Sequence, residues 1–179
     1  IKPAELTPRT TLRLAELSQD ILPPGVFNVV TGHGSEIGDQ LVKHPLVRLV
    51  SVTGDTATGK IIASNAGSSN VKRVHLELGG KAPVIVFDDA NLESLIETLK
   101  FAGYTNTGQD CTASCRVVAG PGIYEDLLSE LVPAVESIKI GDLDDEEVEM
   151  GPLVSSGQRE SVTGFVDRAQ TAGGKVLTG

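Results

Sequence analysis

Short runs of Val, Ile and Leu alternate along the chain with stretches rich in Ala, Leu and Glu. Such alternation predicts an α/β protein with a parallel sheet. Residues 71–78 largely alternate between apolar and polar, which is typical of a half-exposed strand. The predicted strands are 26–30, 47–52, 71–78, 83–87, 116–119 and 175–177. The predicted helices are 7–22, 35–42, the stretch from Gly59 to about Ala66, 92–104, 124–137 and 158–172.

Glycine and capping residues mark the boundaries of these elements. Ser35 is the predicted N-cap of the second helix, because its hydroxyl can accept from a free backbone N–H. Residues 54–59 form a second glycine-containing turn between strand and helix. The adjacent glycines Gly79 and Gly80 permit a hinge, so two domains are predicted, 1–78 and 79–179.

Composition and charge exclude several classes of function. Hydrophobic residues make up 40% of the chain but aromatic residues only 3%, so a core of aliphatic side chains is predicted. The net charge of −9 argues against nucleic acid as a partner, because binding phosphates needs clustered Lys and Arg. The acidic run 142–149 is predicted to be a surface loop. The longest apolar run, 84–87, has the size of a strand, so no membrane association is expected.

Targeting signals and cysteine usage point to the cytoplasm. No signal peptide precedes the first predicted helix, and two cysteines do not make a disulfide framework. The chain starts at Ile1 without an initiator Met and stops after a predicted strand. Both ends are therefore expected to be cuts through a larger fold.

Two glycine-containing turns resemble nucleotide-binding motifs without matching them. Residues 54–60 have the spacing of a phosphate-binding P-loop, but Ile61 replaces the Ser or Thr that would ligate Mg²⁺. In residues 32–38 the third glycine of a dinucleotide fingerprint falls one position late. Helix N-termini offer free N–H groups to phosphates, so two such turns still favour nucleotide binding. A P-loop-like nucleotide-binding module remains an alternative.

The residue types that ligate metals do not occur at suitable spacings. The three histidines lack zinc-ligand spacing, and Cys111 and Cys115 have no further ligand near them in sequence. No metal site is predicted. His75 and Glu77 share one face of a predicted strand, which is typical of a surface pair.

Two segments carry residues suited to catalysis. In 76–83, Glu77 ends a strand and is followed by the Gly-Gly break; in 104–111, Cys111 ends a glycine-containing loop after a helix. A thiolate is a strong nucleophile and a good leaving group, and a carboxylate can deprotonate water. Either residue alone would be interpreted as structural.

Together, these segments resemble the aldehyde dehydrogenase family. The family has Glu-Leu-Gly-Gly-Lys followed by Gly-Gln-x-Cys, and here Glu77 and Cys111 are likewise 34 positions apart. Four further stretches resemble family landmarks in the same order. Residues 2–5 resemble the family's ribose-binding stretch, and residues 23–28 its turn into the next strand. Residues 53–59 resemble its diphosphate turn, and residues 150–153 its later Gly-Pro segment. The resemblance implies a Rossmann-like half of an NAD-binding domain, followed by the first part of an α/β catalytic domain.

The resemblance also implies a mechanism in two steps. Cys111 attacks the aldehyde, hydride passes to the nicotinamide, and a thioester remains. Glu77 then deprotonates the water that hydrolyses this thioester, directly or through another water. The backbone N–H of Cys111 can donate to the oxyanion.

The same resemblance assigns a cofactor site. Lys2 and Glu5 hold the adenosine ribose, which favours NAD over NADP although NADP is possible, and Gly34 lets the adenine end approach. The assigned residues are Lys2, Glu5, Gly34, Gly54, Asp55, Thr58, Gly59 and Leu78. The family usually has Ser where this chain has Asp55. We expect this carboxylate to cap the following helix; neutralisation by Lys60 or Lys81 is the alternative.

Within the family, the thiol loop most resembles aminobutyraldehyde (1-pyrroline) dehydrogenases. Asp110 beside Cys111 can attract a substrate ammonium, or it can cap the loop. Betaine-aldehyde and succinate-semialdehyde dehydrogenases are the alternatives, and a nucleotide-binding fragment without turnover is a third. The oxyanion Asn, a second ribose-binding Glu and the oligomerisation strand lie outside the chain. The segment alone is therefore expected to be inactive, and the full-length enzyme to be a homo-dimer or tetramer.

Overall fold

The computed structural model describes residues 1–179, which divide into two compact units, Ile1–Gly79 and Gly80–Gly179. The first unit contains α1 (Arg9–Ser18), a π-helical turn (Gly34–Gly38), α2 (Asp39–Lys43), β1 (Leu49–Gly54), α3 (Thr56–Ser69) and β2 (Arg73–Leu78). The second contains β3 (Pro83–Val86), α4 (Leu92–Tyr104), a 3₁₀ turn (Thr105–Gly108), β4 (Arg116–Ala119), α5 (Tyr124–Glu136) and α6 (Ser156–Thr171). Each unit has one two-stranded parallel sheet, which confirms the predicted α/β class.

In the first unit, β1 and β2 are parallel neighbours joined by helix α3. The register pairs Leu49 with Arg73 at one end and Gly54 with Leu78 at the other. Helix α3 approaches this sheet closely at Gly59, where an added Cβ would lie 2.8 Å from Leu78 Cδ2. Glycine at this position lets the Leu78 side chain lie against the helix, and a larger residue would require that side chain to move.

A buried lysine ties the ends of α2 and α3 together. The Lys72 ammonium donates to the carbonyl oxygens of Val42 and His44, the latter at 2.9 Å, and to Ser69 Oγ at 3.4 Å. These carbonyls lie at the C-terminal end of α2, where backbone acceptors lack partners within the helix. The lysine therefore satisfies groups that burial would otherwise leave unpaired.

In the second unit, β3 and β4 pair in parallel and α4 packs against α5. The buried apolar side chains of this unit are Val86, Leu99, Ala113, Ile123 and Leu127. Asp88, just after β3, accepts a hydrogen bond from the Gly122 N–H at 3.1 Å. This bond holds the turn that leads from β4 into α5.

The predicted strands 26–30 and 175–177 are wrong. Outside their own turn, residues 26–30 form main-chain hydrogen bonds with Ile1. The Val30 N–H donates to Ile1 O at 2.9 Å, and the Ile1 amino group donates to Asn28 O at 2.6 Å. Residues 175–177 pair with no strand. Apolar runs become strands only when a neighbour supplies a ladder of hydrogen bonds.

Three other local predictions differ from the structure. The turn expected at 54–59 is mostly helix, because α3 begins at Thr56. Helix α1 ends at Ser18, before the prolines that were expected to stop it. The second helix starts at Gly34, so Ser35 is not its N-cap; His33 has that place and makes no side-chain cap. The Gly34 N–H donates instead to Glu5 Oε1, which satisfies the helix start from a distant residue.

The acidic run 142–149 is a surface loop, as predicted. Ile140 and Met150 form a bridge that closes its base. Lys139 forms an ion pair with Glu147 and also donates its backbone N–H to Glu149. None of the helices of the structure has both the length and the apolar character needed to cross a membrane.

Replacing Lys72 by Met in the full-length protein should lower its stability to unfolding by about 1–3 kcal/mol, because the buried carbonyl of Val42 and the partly buried carbonyl of His44 lose their donor. Thermal or urea denaturation would measure the change. Lys60→Met is the matched control, since Lys60 is an exposed lysine on the same unit, and it should change stability by less than about 0.5 kcal/mol. Equal effects of the two variants would contradict the capping role.

Candidate active site

Glu5 is held between Lys2 and the start of the π-helical turn. Its Oε1 accepts from the Gly34 N–H at 2.6 Å and from Lys2 Nζ at 3.3 Å. Hydrogen bonds from the Glu5 and Gly34 backbone N–H groups and from Lys2 lower the pKa of Glu5 from 4.5 to about 2. The carboxylate is therefore charged at any physiological pH, while Oε2 remains free to accept another hydrogen bond.

Lys2 orients this carboxylate. Its ammonium donates to the carbonyl oxygens of Pro3 at 2.7 Å and Gly32 at 3.0 Å as well as to Glu5. An ammonium has three protons, so all of them are engaged.

A cleft of about 1020 Å³ opens beside these residues. Four of the residues predicted for the cofactor line it, namely Lys2, Glu5, Gly34 and Thr58. The other four, Gly54, Asp55, Gly59 and Leu78, lie outside its lining and gather where β1, α3 and β2 meet. There, Gly54 pairs with Leu78 in the sheet and Leu78 packs on Gly59.

Asp55 is the single residue between β1 and α3, and it caps the helix. Its Oδ1 accepts from the Thr58 N–H at 2.9 Å and its Oδ2 from the Thr58 hydroxyl at 2.6 Å. These bonds, the hydroxyl first, lower the pKa of Asp55. The predicted cap is confirmed.

A P-loop needs several residues between strand and helix to wrap around phosphates, so the P-loop alternative is wrong.

Glu77 lies near the end of β2, opposite Thr53. Its Oε1 is 3.0 Å from His75 Nε2, which confirms the predicted pair on one strand face. His75 Nδ1 lies 3.0 Å from Ser51 Oγ, on the neighbouring strand. The role of Ser51 was missed by sequence reasoning. The polar positions of β1 could have indicated it, but only once the register with β2 was known.

Cys111 occupies a tight turn in the second unit, and its thiol is free and exposed. The turn is closed by a hydrogen bond from the Ala113 N–H to Asp110 O at 3.2 Å. The Cys111 N–H donates to no group of the chain, so it is available to a ligand. A Cβ on Gly80 would lie 3.3 Å from Cys111 O, so the segment after Gly79 passes close to this turn.

One carboxylate oxygen of Asp110 accepts two hydrogen bonds and so stabilises the turn. Oδ1 receives the Thr112 hydroxyl and the Thr112 N–H, both at 2.6 Å. These bonds, the hydroxyl first, lower the pKa of Asp110, so its negative charge persists beside Cys111. The loop-capping interpretation of Asp110 is therefore present in the structure, while Oδ2 stays open to solvent.

The loop before Cys111 adopts an unusual backbone. Asn106, Thr107 and Gly108 have φ values of 53°, 58° and 70°, and a β-branched residue such as Thr107 rarely adopts such a φ. The Asn106 side chain donates to Gln109 O at 3.1 Å, and Gln158 of α6 donates to Gln109 Oε1 at 2.7 Å. Strain of this kind persists where the surroundings hold it. Neither of these two hydrogen bonds was predicted from the sequence.

A model of the aldehyde dehydrogenase family matches residues 1–179, and the chain belongs to that family. Betaine aldehyde dehydrogenase from Staphylococcus aureus in complex with NAD⁺ is 40% identical with a TM-score of 0.95; the match covers 99% of this chain and 35% of that one. HpcC from Thermus thermophilus is 43% identical with a TM-score of 0.95, covering 99% and 35%. A lactaldehyde dehydrogenase is 38% identical with a TM-score of 0.97, covering 100% and 38%. The chain thus spans little more than a third of these solved relatives.

The Glu5 carboxyl should titrate with a midpoint of about 2 rather than 4.5. Because this pKa is lowered in the folded state, the stability it contributes is present above about pH 4.5 and is lost as the pH falls toward 2. The ¹³C carboxyl resonance, assigned with Glu5→Gln, would report the midpoint. Lys2→Met should raise the titration midpoint of Glu5, whereas Lys60→Met should leave it unchanged. A midpoint near 4.5 in the unmodified protein would refute the hydrogen bonds described for Glu5.

Proposed function

We propose that the chain is part of an NAD(P)-dependent aldehyde dehydrogenase, with Cys111 as nucleophile and Glu77 as general base. The observation that carries this proposal is Cys111 itself: an exposed thiol with an unpaired backbone N–H, held in a braced turn, in a chain that matches the family over its whole length. The two units, Ile1–Gly79 and Gly80–Gly179, correspond in this proposal to parts of the cofactor domain and of the thiol domain.

The first unit fits NAD at its adenosine end. Glu5 Oε2 can accept from a ribose hydroxyl, and its fixed negative charge would repel a phosphate there, which favours NAD over NADP. Relatives of known structure were solved in complex with NAD⁺, in agreement with this choice. Asp55 directs both oxygens to Thr58 and occupies the Thr58 N–H, so the Thr56 N–H is the donor at the start of α3 that stays available to a diphosphate.

In the proposed mechanism, the Cys111 thiolate forms a bond to the aldehyde carbon and the carbonyl electrons move to oxygen. The Cys111 N–H donates to that oxyanion, which stabilises the tetrahedral thiohemiacetal. The nicotinamide, when bound, supplies the hydride acceptor that turns this adduct into a thioester. Glu77 then takes a proton from water, the resulting hydroxide adds to the thioester carbon, and the thiolate leaves.

For the substrate, we propose an aldehyde that carries a positive charge, with 4-aminobutanal as the first candidate. Asp110 remains ionised next to Cys111 and keeps Oδ2 free for a cation. Betaine aldehyde, also cationic, is the second candidate, because a betaine aldehyde dehydrogenase is 40% identical. We further propose a cytoplasmic homo-oligomer, and that the 179-residue segment alone is inactive, since it spans about a third of its relatives.

In the full-length protein, Cys111→Ala should reduce aldehyde-dependent NADH formation by at least about a thousandfold, because no other group replaces the nucleophile. Cys115→Ala is the matched control; this second exposed thiol, four residues away, should leave kcat/KM within about threefold. NADH absorbance would follow both reactions. Equal losses in the two variants would refute the assignment of Cys111.

Asp110→Asn should reduce the preference for cationic aldehydes by about threefold to tenfold, the effect of one unit charge a few ångströms away in a mostly aqueous site. The preference is the ratio of kcat/KM for betaine aldehyde over its neutral isostere 3,3-dimethylbutanal, and for 4-aminobutanal over pentanal. Added salt should weaken it.

Asp89→Asn is the control, because it removes the same charge from an exposed position just after β3. An unchanged ratio in Asp110→Asn would show that Asp110 acts only on the loop. The larger of the two unmodified ratios would identify the better substrate class.

A further inference from the structure

Three side chains on one face of the β1–β2 sheet form a hydrogen-bonded chain that ends at Glu77. Ser51 Oγ is 3.0 Å from His75 Nδ1, and His75 Nε2 is 3.0 Å from Glu77 Oε1. The parallel register places Ser51 directly opposite His75, and the strand period of two places His75 and Glu77 on the same face. The backbone therefore brings the three side chains to one face of the sheet, where the hydrogen bonds between them orient Glu77.

The chemistry of the groups fixes the direction of these bonds. An ionised carboxylate only accepts, so His75 Nε2 must carry the hydrogen that lies between it and Glu77. In the neutral imidazole, Nδ1 then has a lone pair, and the Ser51 hydroxyl can donate to it. Ser51 thus favours the tautomer in which His75 can hold Glu77.

Stability does not account for this chain of contacts. The side chains of His75 and Glu77 are 60% and 55% exposed, and exposed ion pairs contribute little to folding. What the contacts do provide is a fixed orientation for a flexible carboxylate. Glu77 Oε1 is occupied by His75, while Oε2 is left free.

We infer that His75 is a positioning residue for Glu77 and that Ser51 acts through His75; this rests on the proposed function of Glu77 as general base. His75 holds Oε1, and Oε2 takes the proton from the hydrolytic water. The hydroxide so formed bonds to the thioester carbon, and the C–S bond to Cys111 breaks. The Nε2 proton stays on His75 throughout, so His75 exchanges no proton with substrate.

The test compares His75→Leu with His75→Gln in the full-length protein. The amide nitrogen of Gln can replace Nε2 as a donor, whereas Leu keeps volume and removes the donor. Rapid mixing with NAD and aldehyde separates the first turnover, seen as a burst of NADH, from the steady rate that includes thioester hydrolysis. His44→Leu is the control, because His44 is another exposed histidine of the same unit, and its ring accepts a hydrogen bond from the Leu46 N–H.

The expected result is a selective loss in the second step. His75→Leu should keep the burst and slow the steady rate by about threefold to thirtyfold, less than the full loss of a general base, about 10²–10⁴-fold. His75→Gln should recover most of the rate, Ser51→Ala should slow the same step by less than His75→Leu, and His44→Leu should change neither phase. In a Glu77→Gln background, His75→Leu should add nothing, because its effect passes through the carboxylate.

Several outcomes would overturn the inference. They are an unchanged steady rate in His75→Leu, loss of the burst together with the steady rate, failure of His75→Gln to recover activity, and additive effects in the double variant. Failure of the proposed function is distinct: the unmodified protein would then form no NADH from aldehyde, or Glu77→Gln would keep its steady rate.

Discussion

The parallel pairing of β1 with β2 is the interaction on which the candidate site of the first unit depends. It places Thr53 opposite Glu77, Ser51 opposite His75 and Gly54 opposite Leu78. A slip of one residue would turn every side chain of a strand to the other face, so the same register serves both the polar face and the packed one. On the packed face, the register brings Leu78 to Gly59, where a larger residue would displace the Leu78 side chain. The position of Glu77 and the close packing of α3 are therefore two consequences of one set of backbone hydrogen bonds.

In the second unit, an irregular segment rather than a strand holds the backbone around Cys111. A thiol nucleophile must be exposed, yet its backbone must be fixed if its N–H is to meet an oxyanion. Here, side-chain bonds replace a regular ladder: Asn106 and Gln158 hold the main chain and side chain of Gln109, and Thr112 holds Asp110. The left-handed conformation of Thr107 is tolerated because these contacts hold the loop on both sides of it.

Two carboxylates near the proposed nucleotide site show how the surroundings of a charge decide its effect. Glu5 and Asp55 both have lowered pKa values, so both carry full negative charge. Glu5 keeps one oxygen open toward a cleft, as the proposed contact with a ribose hydroxyl requires. Asp55 has both oxygens engaged by Thr58, and its charge favours the positive end of the α3 dipole. The departure from the usual Ser is therefore compatible with the same turn between strand and helix.

Local sequence decided the bounds of several elements and was enough to indicate the family. Helix 92–104 and strand 116–119 have the predicted bounds, because periodicity and caps such as Asn91 act within a few residues. The spacing of Glu77 and Cys111, with the residues around them, was enough to indicate the family. What only the tertiary structure decided are the contacts between distant residues: Glu5 with Gly34, Ser51 with His75, and Gln109 with Gln158. The apolar run 26–30 shows the reason, since it has the composition of a strand but its main-chain partner outside its own turn is a single residue, Ile1. Local pattern sets what a segment can form, whereas pairing and packing with remote segments decide what it does form.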